Sequence, residues 1–234
     1  MTDVVLVHGA WHGSWSWRRV LPLLWAAGHR VVTVTLTGLG ERAHQLSPAV
    51  TLGTHVEDVV TAVRAEECTG AVLVGHSYGG VVVTGAADRL GAEVGALVYV
   101  DGVVPLPGES WSTRNPPEVQ AARRAAIGRS GSLPTPPPEA FGLSGADAEW
   151  VARRQTPQPG GVYDDPVHFD LDRWLARPRT YVDCTSPALG TVEPAKELVR
   201  SQPGWEVVPL ATGHDPMVSA PAELAEVLLR VAAR

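Results

Sequence analysis

The segment 71–83 constrains the fold of this chain more than any other stretch. It reads AVLVGHSYGGVVV, which is an apolar strand pattern, then glycines around Ser77, then the start of an apolar helix. The G-x-S-x-G spacing has a steric cause, because side chains at Gly75 and Gly79 would crowd the backbone of a sharp strand-to-helix turn. Such a turn holds Ser77 Oγ above a helix N-terminus, where developing negative charge is favoured. The sequence therefore predicts a reactive serine at the edge of a sheet.

Short apolar, β-branched runs alternate with helical patterns along most of the chain. Continuous apolar strands of this kind are typical of parallel strands covered on both faces. The alternation predicts an α/β protein with a mostly parallel, doubly wound sheet that binds ligands at the carboxyl ends of its strands. The predicted strands are Val4–Val7, Val31–Thr35, Ala71–Val74, Ala96–Val100, Tyr181–Cys184 and Glu206–Leu210, and the predicted helices are Trp15–Ala27, Thr51–Ala65, Gly79–Leu90, Glu193–Arg200 and Pro221–Ala233.

The alternating pattern breaks in the middle of the chain, where proline is frequent. This region contains Trp111, Trp150 and Trp174, and helical patterns at Glu118–Ile127 and Ala146–Arg154. Three tryptophans favour an insertion that packs over the active site, since a linker would not need them. We therefore expect a single domain, residues 1–234, with a core at 1–102 and 178–234 and a helical lid insertion at 103–177.

Composition and charge exclude several function classes. The net charge of −6 and the isoelectric point near 5.7 argue against a nucleic-acid or anionic-membrane surface, and the 19 Lys and Arg residues form no basic run. No apolar stretch approaches the roughly 18 to 20 residues that span a bilayer. We therefore expect a small-molecule substrate and neither a nucleic-acid nor a membrane partner. The sequence leaves the oligomeric state open, with a homodimer as one alternative.

The two cysteines and the first residues bear on the cellular compartment. Cys68 and Cys184 lack metal-ligand spacing and favour reduced thiols over a disulfide. The chain starts with MTD and then enters an apolar strand, without the basic region and long apolar segment of a secretory signal. We expect a cytoplasmic protein.

A reactive serine needs a base and a site for negative charge. The late segment VVPLATGHDPM places His214 in a loop after the last predicted strand, where it can take the Ser77 proton and return it to a leaving group. An early strand ends in the turn HGAWHG, which can offer the backbone N–H of Ala10 to an oxyanion. The N–H of Tyr78, the residue after the serine, is the expected second donor.

Four motifs together resemble a branch of the α/β-hydrolase superfamily that contains plant salicylate-type methylesterases, hydroxynitrile lyases and small bacterial esterases. The resemblance covers the core up to about Asp101 and again from Arg179 onward. It implies an α/β-hydrolase fold with Ser77 as nucleophile and His214 as base. The motifs are HGAWHGSWSW at 8–17, TGLGER at 37–42, GHSYGG at 75–80 and GH at 213–214.

The acid that should support His214 is missing from its usual place. Members of this branch place it a few residues after a Cys-Thr pair, but here no carboxylate follows Cys184 until Glu193. Asp101 is the best substitute, because it ends the strand that follows the nucleophile helix, and some α/β-hydrolases keep their acid there. A cap of the turn into the lid is an equal alternative for Asp101. Asp183, Glu193 and Asp215 rank below it in that order.

The remaining expectations concern the pocket and cofactors. Trp11 follows the oxyanion turn, His12 lies next to it and Met217 lies near His214, so all three are candidates for the substrate pocket. Packing in the core is an alternative for Met217 and exposure to solvent for His12. The glycine-rich segment at 75–80 lacks the P-loop lysine and the dinucleotide spacing, and nothing implies a metal or another cofactor.

These features favour a carboxylic ester hydrolase that cleaves a small ester or lactone through a Ser77 acyl-enzyme. A cyanohydrin lyase is disfavoured, because such relatives have a hydroxylated residue in place of Gly9 and a lysine in place of Asp215. The absent acid keeps two further alternatives open. One is a lyase, dehydratase or cyclase of a biosynthetic pathway, and the other is a ligand-binding protein with vestigial turnover.

Overall fold

A six-stranded, wholly parallel sheet forms the centre of the molecule in the computed structural model, which describes all 234 residues. Its strand order is β2-β1-β3-β4-β7-β8. The chain runs outward from β1 to β2 and then returns to β3 on the other side of β1. Open α/β sheets bind ligands where the strand order reverses in this way. The strands are β1 (Asp3–Val7), β2 (Arg30–Val34), β3 (Ala71–His76), β4 (Val94–Val100), β7 (Arg179–Cys184) and β8 (Trp205–Leu210), and a separate two-stranded antiparallel pair is formed by β5 (Ser132–Leu133) and β6 (Gln158–Pro159).

Nine α-helices surround the sheet. None of them combines the length and hydropathy that a bilayer span requires. They are α1 (Leu21–Ala26), α2 (Leu52–Ala65), α3 (Gly79–Leu90), α4 (Pro117–Ser130), α5 (Gly145–Ala152), α6 (Leu171–Leu175), α7 (Glu193–Ser201), α8 (Pro216–Ser219) and α9 (Pro221–Ala232).

The sheet is buried on both faces, as its continuous apolar strands predict. Val5 and Val7 of β1 point into the cluster under α2 and α3, whereas Val4 and Leu6 point into the cluster under α9. This alternation follows from the two-residue period of a strand. The α/β class, with a mostly parallel, doubly wound sheet, is therefore confirmed.

The six core strands lie where the sequence predicts them, to within two residues. One helix prediction is wrong in detail, because Trp15–Ala27 is not a single helix. A 3₁₀ helix spans Ser14–Arg19, and α1 starts afresh at Leu21 with Pro22 in its first turn. Proline lacks the N–H that a continuing helix would need, but it is well tolerated in a first turn.

The segment between β4 and β7 spans the residues for which the sequence predicts an insertion. It contains α4, α5, α6 and the β5–β6 pair. The predicted helices Glu118–Ile127 and Ala146–Arg154 correspond to α4 and α5. The prediction missed α6, a helix of five residues.

The packing of Gly75 generates a stability prediction. A Cβ at this position would lie 2.6 Å from the Gly79 carbonyl oxygen and 2.7 Å from Val83 Cγ2, so the backbone of the turn would have to move. We expect Gly75→Ala to lower the free energy of unfolding by about 1–3 kcal/mol or more, because overpacking strains a dense core. Urea unfolding followed by circular dichroism measures the change.

Gly53→Ala is the matched control. Its Cβ would meet only Thr51 Oγ1, at 3.4 Å, and alanine is the better helix former within α2. We expect Gly53→Ala to keep or slightly raise stability. Equal stability of the two variants would contradict this account of the turn.

Candidate active site

Ser77 occupies a strained turn between β3 and α3. Its φ is +52°, a left-handed backbone conformation that is uncommon for residues other than glycine. The Ser77 N–H donates to the Val100 carbonyl oxygen at 3.1 Å, and the Ser77 carbonyl oxygen accepts from Gly80 and Val103, each at 3.0 Å. These bonds anchor the turn to β4 and α3. The strain is typical of a residue whose side chain must be held in a fixed direction.

His214 contacts the Ser77 hydroxyl directly. The distance between His214 Nε2 and Ser77 Oγ is 2.9 Å. The ring belongs to the loop that follows β8, and the His214 N–H donates to the Phe141 carbonyl oxygen at 3.0 Å. A Cβ at Gly213 would lie 2.5 Å from the same oxygen, so the Gly-His pair lets the loop approach the insertion closely. The ring is thereby held in position to exchange a proton with Ser77.

Asp101 lies on the other side of the His214 ring. The His214 Nδ1–H donates to Asp101 Oδ2 at 2.7 Å, and the carboxylate is fully buried. Asp101 also has a left-handed backbone, with φ at +43°, directly after β4. Burial alone would raise the pKa of Asp101, but hydrogen bonds and charges from His214 and Lys196 outweigh it and hold that pKa below its usual value. Asp101 is therefore an ionised acceptor for the ring.

A buried lysine that no sequence motif indicated completes the environment of Asp101. Lys196 Nζ lies 2.8 Å from Asp101 Oδ1, 2.9 Å from Asp183 Oδ1 and 2.5 Å from the Cys184 carbonyl oxygen. Burial would lower the pKa of Lys196, but the two carboxylates outweigh it and raise that pKa. The available signal was the position of Lys196 on the buried face of α7, three residues before Val199.

The other candidate acids lie elsewhere. Asp183 binds Lys196 and also accepts from Arg200 at 2.6 Å, and Glu193 accepts from the same arginine at 3.0 Å. Asp215 binds His12. Of the four carboxylates considered from the sequence, only Asp101 contacts the His214 ring.

His12 is not part of the cavity, contrary to the prediction, but belongs to a buried polar cluster behind the site. Its Nδ1–H donates to the Ala10 carbonyl oxygen at 2.7 Å, and its Nε2 lies 3.2 Å from Asp215 Oδ2. Burial opposes charge on both side chains, but their mutual attraction raises the pKa of His12 and lowers that of Asp215 to about 2. The ion pair thereby connects the turn after β1 to the loop that carries His214.

His76 extends this cluster. Its Nε2–H donates to the His214 carbonyl oxygen at 2.9 Å, and burial together with the nearby His214 lowers the pKa of His76 to about 3. Potential metal-ligand atoms of His76, His214 and Asp215 lie within 4.8 Å of one another. Both ring nitrogens of His214 already bind Asp101 and Ser77, so this set acts as a hydrogen-bonded support of the loop.

The two predicted oxyanion donors lie in the turns after β1 and β3, which are neighbouring strands. Neither the Ala10 N–H nor the Tyr78 N–H donates a hydrogen bond within the chain. The Trp11 N–H donates to Gln158 Oε1 at 3.1 Å, and Trp11 has a left-handed backbone with φ at +64°. These features fix the turn while leaving the Ala10 amide free.

A cavity of about 150 Å³ opens onto Ser77 and His214. Trp11, one of the three pocket candidates from the sequence, lines it. Met217 does not, because its side chain is fully buried in the core cluster under α9. The rest of the wall comes from the segment between β4 and β7 and from the loop after β7, and no sequence motif indicated it. These further lining residues are Val103, Trp111, Arg123, Pro136, Ala140, Phe141, Leu189, Thr191 and Val192.

Comparisons with known proteins identify the family. Residues 4–227 match the family described as the alpha/beta hydrolase family. The chain is 41% identical to a carbendazim hydrolyzing esterase from Nocardioides sp. (strain SG-4G), over 97% of this chain and 98% of the relative. It is 28% identical to esterase PIR7B from Oryza sativa subsp. japonica, over 97% of this chain and 94% of the relative.

A solved structure shows the same fold. An extracellular alpha/beta-hydrolase from a Paenibacillus species superimposes with a TM-score of 0.87 over 100% of both chains, at 21% sequence identity.

The buried histidines around the site generate a prediction about pH. Burial lowers the pKa of His8 and His76 to about 3 and that of His55 to about 4, whereas an unfolded histidine has a pKa of about 6.5. The unfolded chain therefore binds more protons as the pH falls from about 6.5 to 4. Within this window each such histidine costs about 1.4 kcal/mol of stability per pH unit. The raised pKa of His12 changes the free energy of unfolding only above about pH 6.5.

Urea unfolding at pH 7, 6 and 5 measures this dependence. His55→Gln should remove part of the loss of stability on acidification, whereas His44→Gln at an exposed position should not. A wild-type stability that is constant from pH 7 to 5 would show that the buried rings are not held neutral.

Proposed function

Since the chain belongs to the alpha/beta hydrolase family, we propose that it is a carboxylic ester hydrolase that cleaves a small ester through an acyl-enzyme on Ser77. The observation that carries the proposal is the unbroken hydrogen-bond chain at the cavity floor. It runs from Ser77 Oγ to His214 Nε2 at 2.9 Å and from His214 Nδ1 to Asp101 Oδ2 at 2.7 Å. The esterase names of the relatives at 41% and 28% identity support the same activity.

Acylation follows from the roles that this geometry allows. His214 Nε2 takes the proton as Ser77 Oγ bonds to the ester carbonyl carbon, and the carbonyl π electrons move to its oxygen. The free N–H groups of Ala10 and Tyr78 are suited to binding that oxyanion. When the tetrahedral intermediate collapses, the bond to the alkoxy oxygen breaks and His214 returns the proton to the departing alcohol.

Deacylation repeats these steps with water. His214 takes a proton from water, the hydroxide oxygen attacks the acyl carbon, and the Ser77 oxygen leaves with the proton returned by His214. In both halves of the reaction Asp101 keeps Nδ1 protonated and stabilises the imidazolium. Its buried ionised state suits it to that role.

Two features disfavour the lyase alternative. A Cβ at Gly9 would lie 2.6 Å from His76 Nδ1 and 2.8 Å from Ser77 Cβ, which leaves no room for a hydroxylated side chain there without movement. Asp215 is held by His12 and presents no cation to a departing anion. The hydrogen bond from His214 to Asp101 supports Asp101 as the acid, and the absence of an acid was the main argument for a non-hydrolytic enzyme or a ligand-binding protein.

The insertion at 103–177 acts in this proposal as the lid over the active site. Trp111, Arg123 and Phe141 from this segment line the cavity, which supports that role.

The two cysteines are free and buried, and this state is consistent with a cytoplasmic location.

Small esters and lactones remain the proposed substrates, and carbendazim belongs in the test panel because of the name of the relative at 41% identity.

Covalent labelling tests the nucleophile. A serine-directed fluorophosphonate should add one adduct to the intact mass of the folded wild type, because His214 activates Ser77 for attack. Ser77→Ala should abolish the adduct, whereas Ser201→Ala at an exposed position should keep it. A folded wild type that takes up no label would contradict the acyl-enzyme proposal.

Replacement of the acid tests the relay. Asp101→Asn should reduce kcat by about 10³- to 10⁴-fold on an aryl ester, because an amide cannot hold the His214 ring in the required tautomer. Asp88→Asn, which removes only a partly exposed ion pair with Arg173, should leave kcat unchanged within about twofold. Near-normal turnover of the folded Asp101→Asn protein would remove Asp101 from the mechanism.

A further inference from the structure

One charged side chain in the cavity wall has no part in the mechanism above. Arg123 projects from α4 of the insertion and lines the cavity together with Ser77 and His214. Apart from His214 it is the only ionisable side chain among the lining residues. The rest of the wall is mostly aromatic and aliphatic, so this guanidinium dominates the charge inside the cavity.

The Arg123 guanidinium has no anionic partner within the protein. It forms no ion pair, and its Nη1 is buried without a hydrogen-bond partner. Burial lowers the pKa of Arg123, but an arginine remains protonated at any ordinary pH. A buried donor without a partner is unfavourable, and a charged one more so. The protein therefore holds a partly desolvated cation next to the reactive serine.

Aromatic rings hold this cation in place. The Arg123 guanidinium carbon lies 4.9 Å from the centroid of Trp111, 5.5 Å from that of Tyr163 and 5.8 Å from that of Trp11. Cation–π attraction and a hydrogen bond with the Tyr163 side chain offset part of the desolvation, but Nη1 has no acceptor. The edge of the guanidinium thus stays available for a planar acceptor.

The neighbouring arginine on α4, Arg124, has an anionic partner. Arg124 donates to both oxygens of Asp164, at 2.9 Å and 3.0 Å, on the protein surface. The unpaired arginine faces the cavity, whereas the paired one faces solvent. This contrast separates Arg123 from the ordinary surface charge of the helix.

We propose that Arg123 binds a carboxylate of the substrate, so that the enzyme prefers small esters that carry a free carboxylate, such as monoesters of dicarboxylic acids. This inference rests on the proposed ester hydrolysis for its catalytic part. The substrate's carboxylate would pair with the guanidinium while its ester carbonyl lies at Ser77. The cavity of about 150 Å³ suits a short substrate.

Binding to Ser77→Ala tests the recognition apart from turnover. Three methyl esters share one arrangement of heavy atoms and differ only at the far end. Monomethyl glutarate ends in a carboxylate, methyl 5-oxohexanoate in a neutral ketone and methyl 5-methylhexanoate in an apolar isopropyl group. Because Trp11 and Trp111 flank Arg123, tryptophan fluorescence should report binding. We expect monomethyl glutarate to bind about 10- to 100-fold more tightly than either neutral ester, as a charge-assisted hydrogen bond implies.

Substitutions at neighbouring positions provide the contrast. In the Ser77→Ala background, Arg123→Gln should abolish the preference for monomethyl glutarate, Arg123→Lys should keep part of it, and Arg124→Gln should leave it intact. In the active enzyme, Arg123→Gln should lower the ratio of kcat/KM for monomethyl glutarate to kcat/KM for methyl 5-methylhexanoate about 10- to 100-fold. Circular dichroism and urea unfolding show whether the variant folds.

The outcomes separate the two proposals. Equal affinity of Ser77→Ala for monomethyl glutarate and for either neutral ester would overturn the role of Arg123, whether or not the wild type hydrolyses esters. An intact preference in Arg123→Gln would overturn it as well. Selective binding of monomethyl glutarate that is lost in Arg123→Gln would support the carboxylate site even if no ester were hydrolysed, and in that case the hydrolase proposal would be the one to fail.

Discussion

The rest of the site depends on the contacts that stabilise the buried carboxylate of Asp101. This carboxylate has to remain ionised without solvent, which is unfavourable unless cations and hydrogen-bond donors surround it. Lys196 supplies the cation at 2.8 Å, and the His214 ring donates at 2.7 Å. Loss of Lys196 would leave the carboxylate in the core without its cation. The orientation of the His214 ring, and with it the access to Ser77, follows from this arrangement.

The sheet explains how an acid after β4 can replace one after β7. The two strands are parallel neighbours, so their carboxyl ends lie side by side. The Asp101 N–H donates to the Val182 carbonyl oxygen at 2.8 Å, and the Cys184 N–H donates to Asp101 Oδ1 at 3.2 Å. The left-handed turn at Asp101 then directs its carboxylate toward the loop that follows β8. The end of β7 thus contributes a backbone donor to Asp101.

Much of this molecule can be predicted from its sequence, because local patterns determine it. The strands have continuous apolar runs, and the steric demands of Gly75 and Gly79 define the turn around Ser77. Lys196 and Arg123 could not be found in this way. Each is a basic residue on a helix, a pattern typical of solvated surface. Only tertiary packing directs Lys196 toward Asp101 and Arg123 toward the cavity. The ion pair of His12 is likewise formed by residues more than 200 positions apart.

The central claim is that Ser77 carries the acyl group between the two halves of the reaction. Quenched-flow measurement with an aryl ester in excess tests it most directly, by following aryl alcohol release and the mass of the Ser77 peptide together. The account predicts a burst close to one equivalent of alcohol per chain when deacylation is the slower half, and an acyl adduct on Ser77 in the quenched samples. Steady hydrolysis of that ester with an unmodified Ser77 peptide, in a protein whose Ser77→Ala variant is equally active, would contradict it.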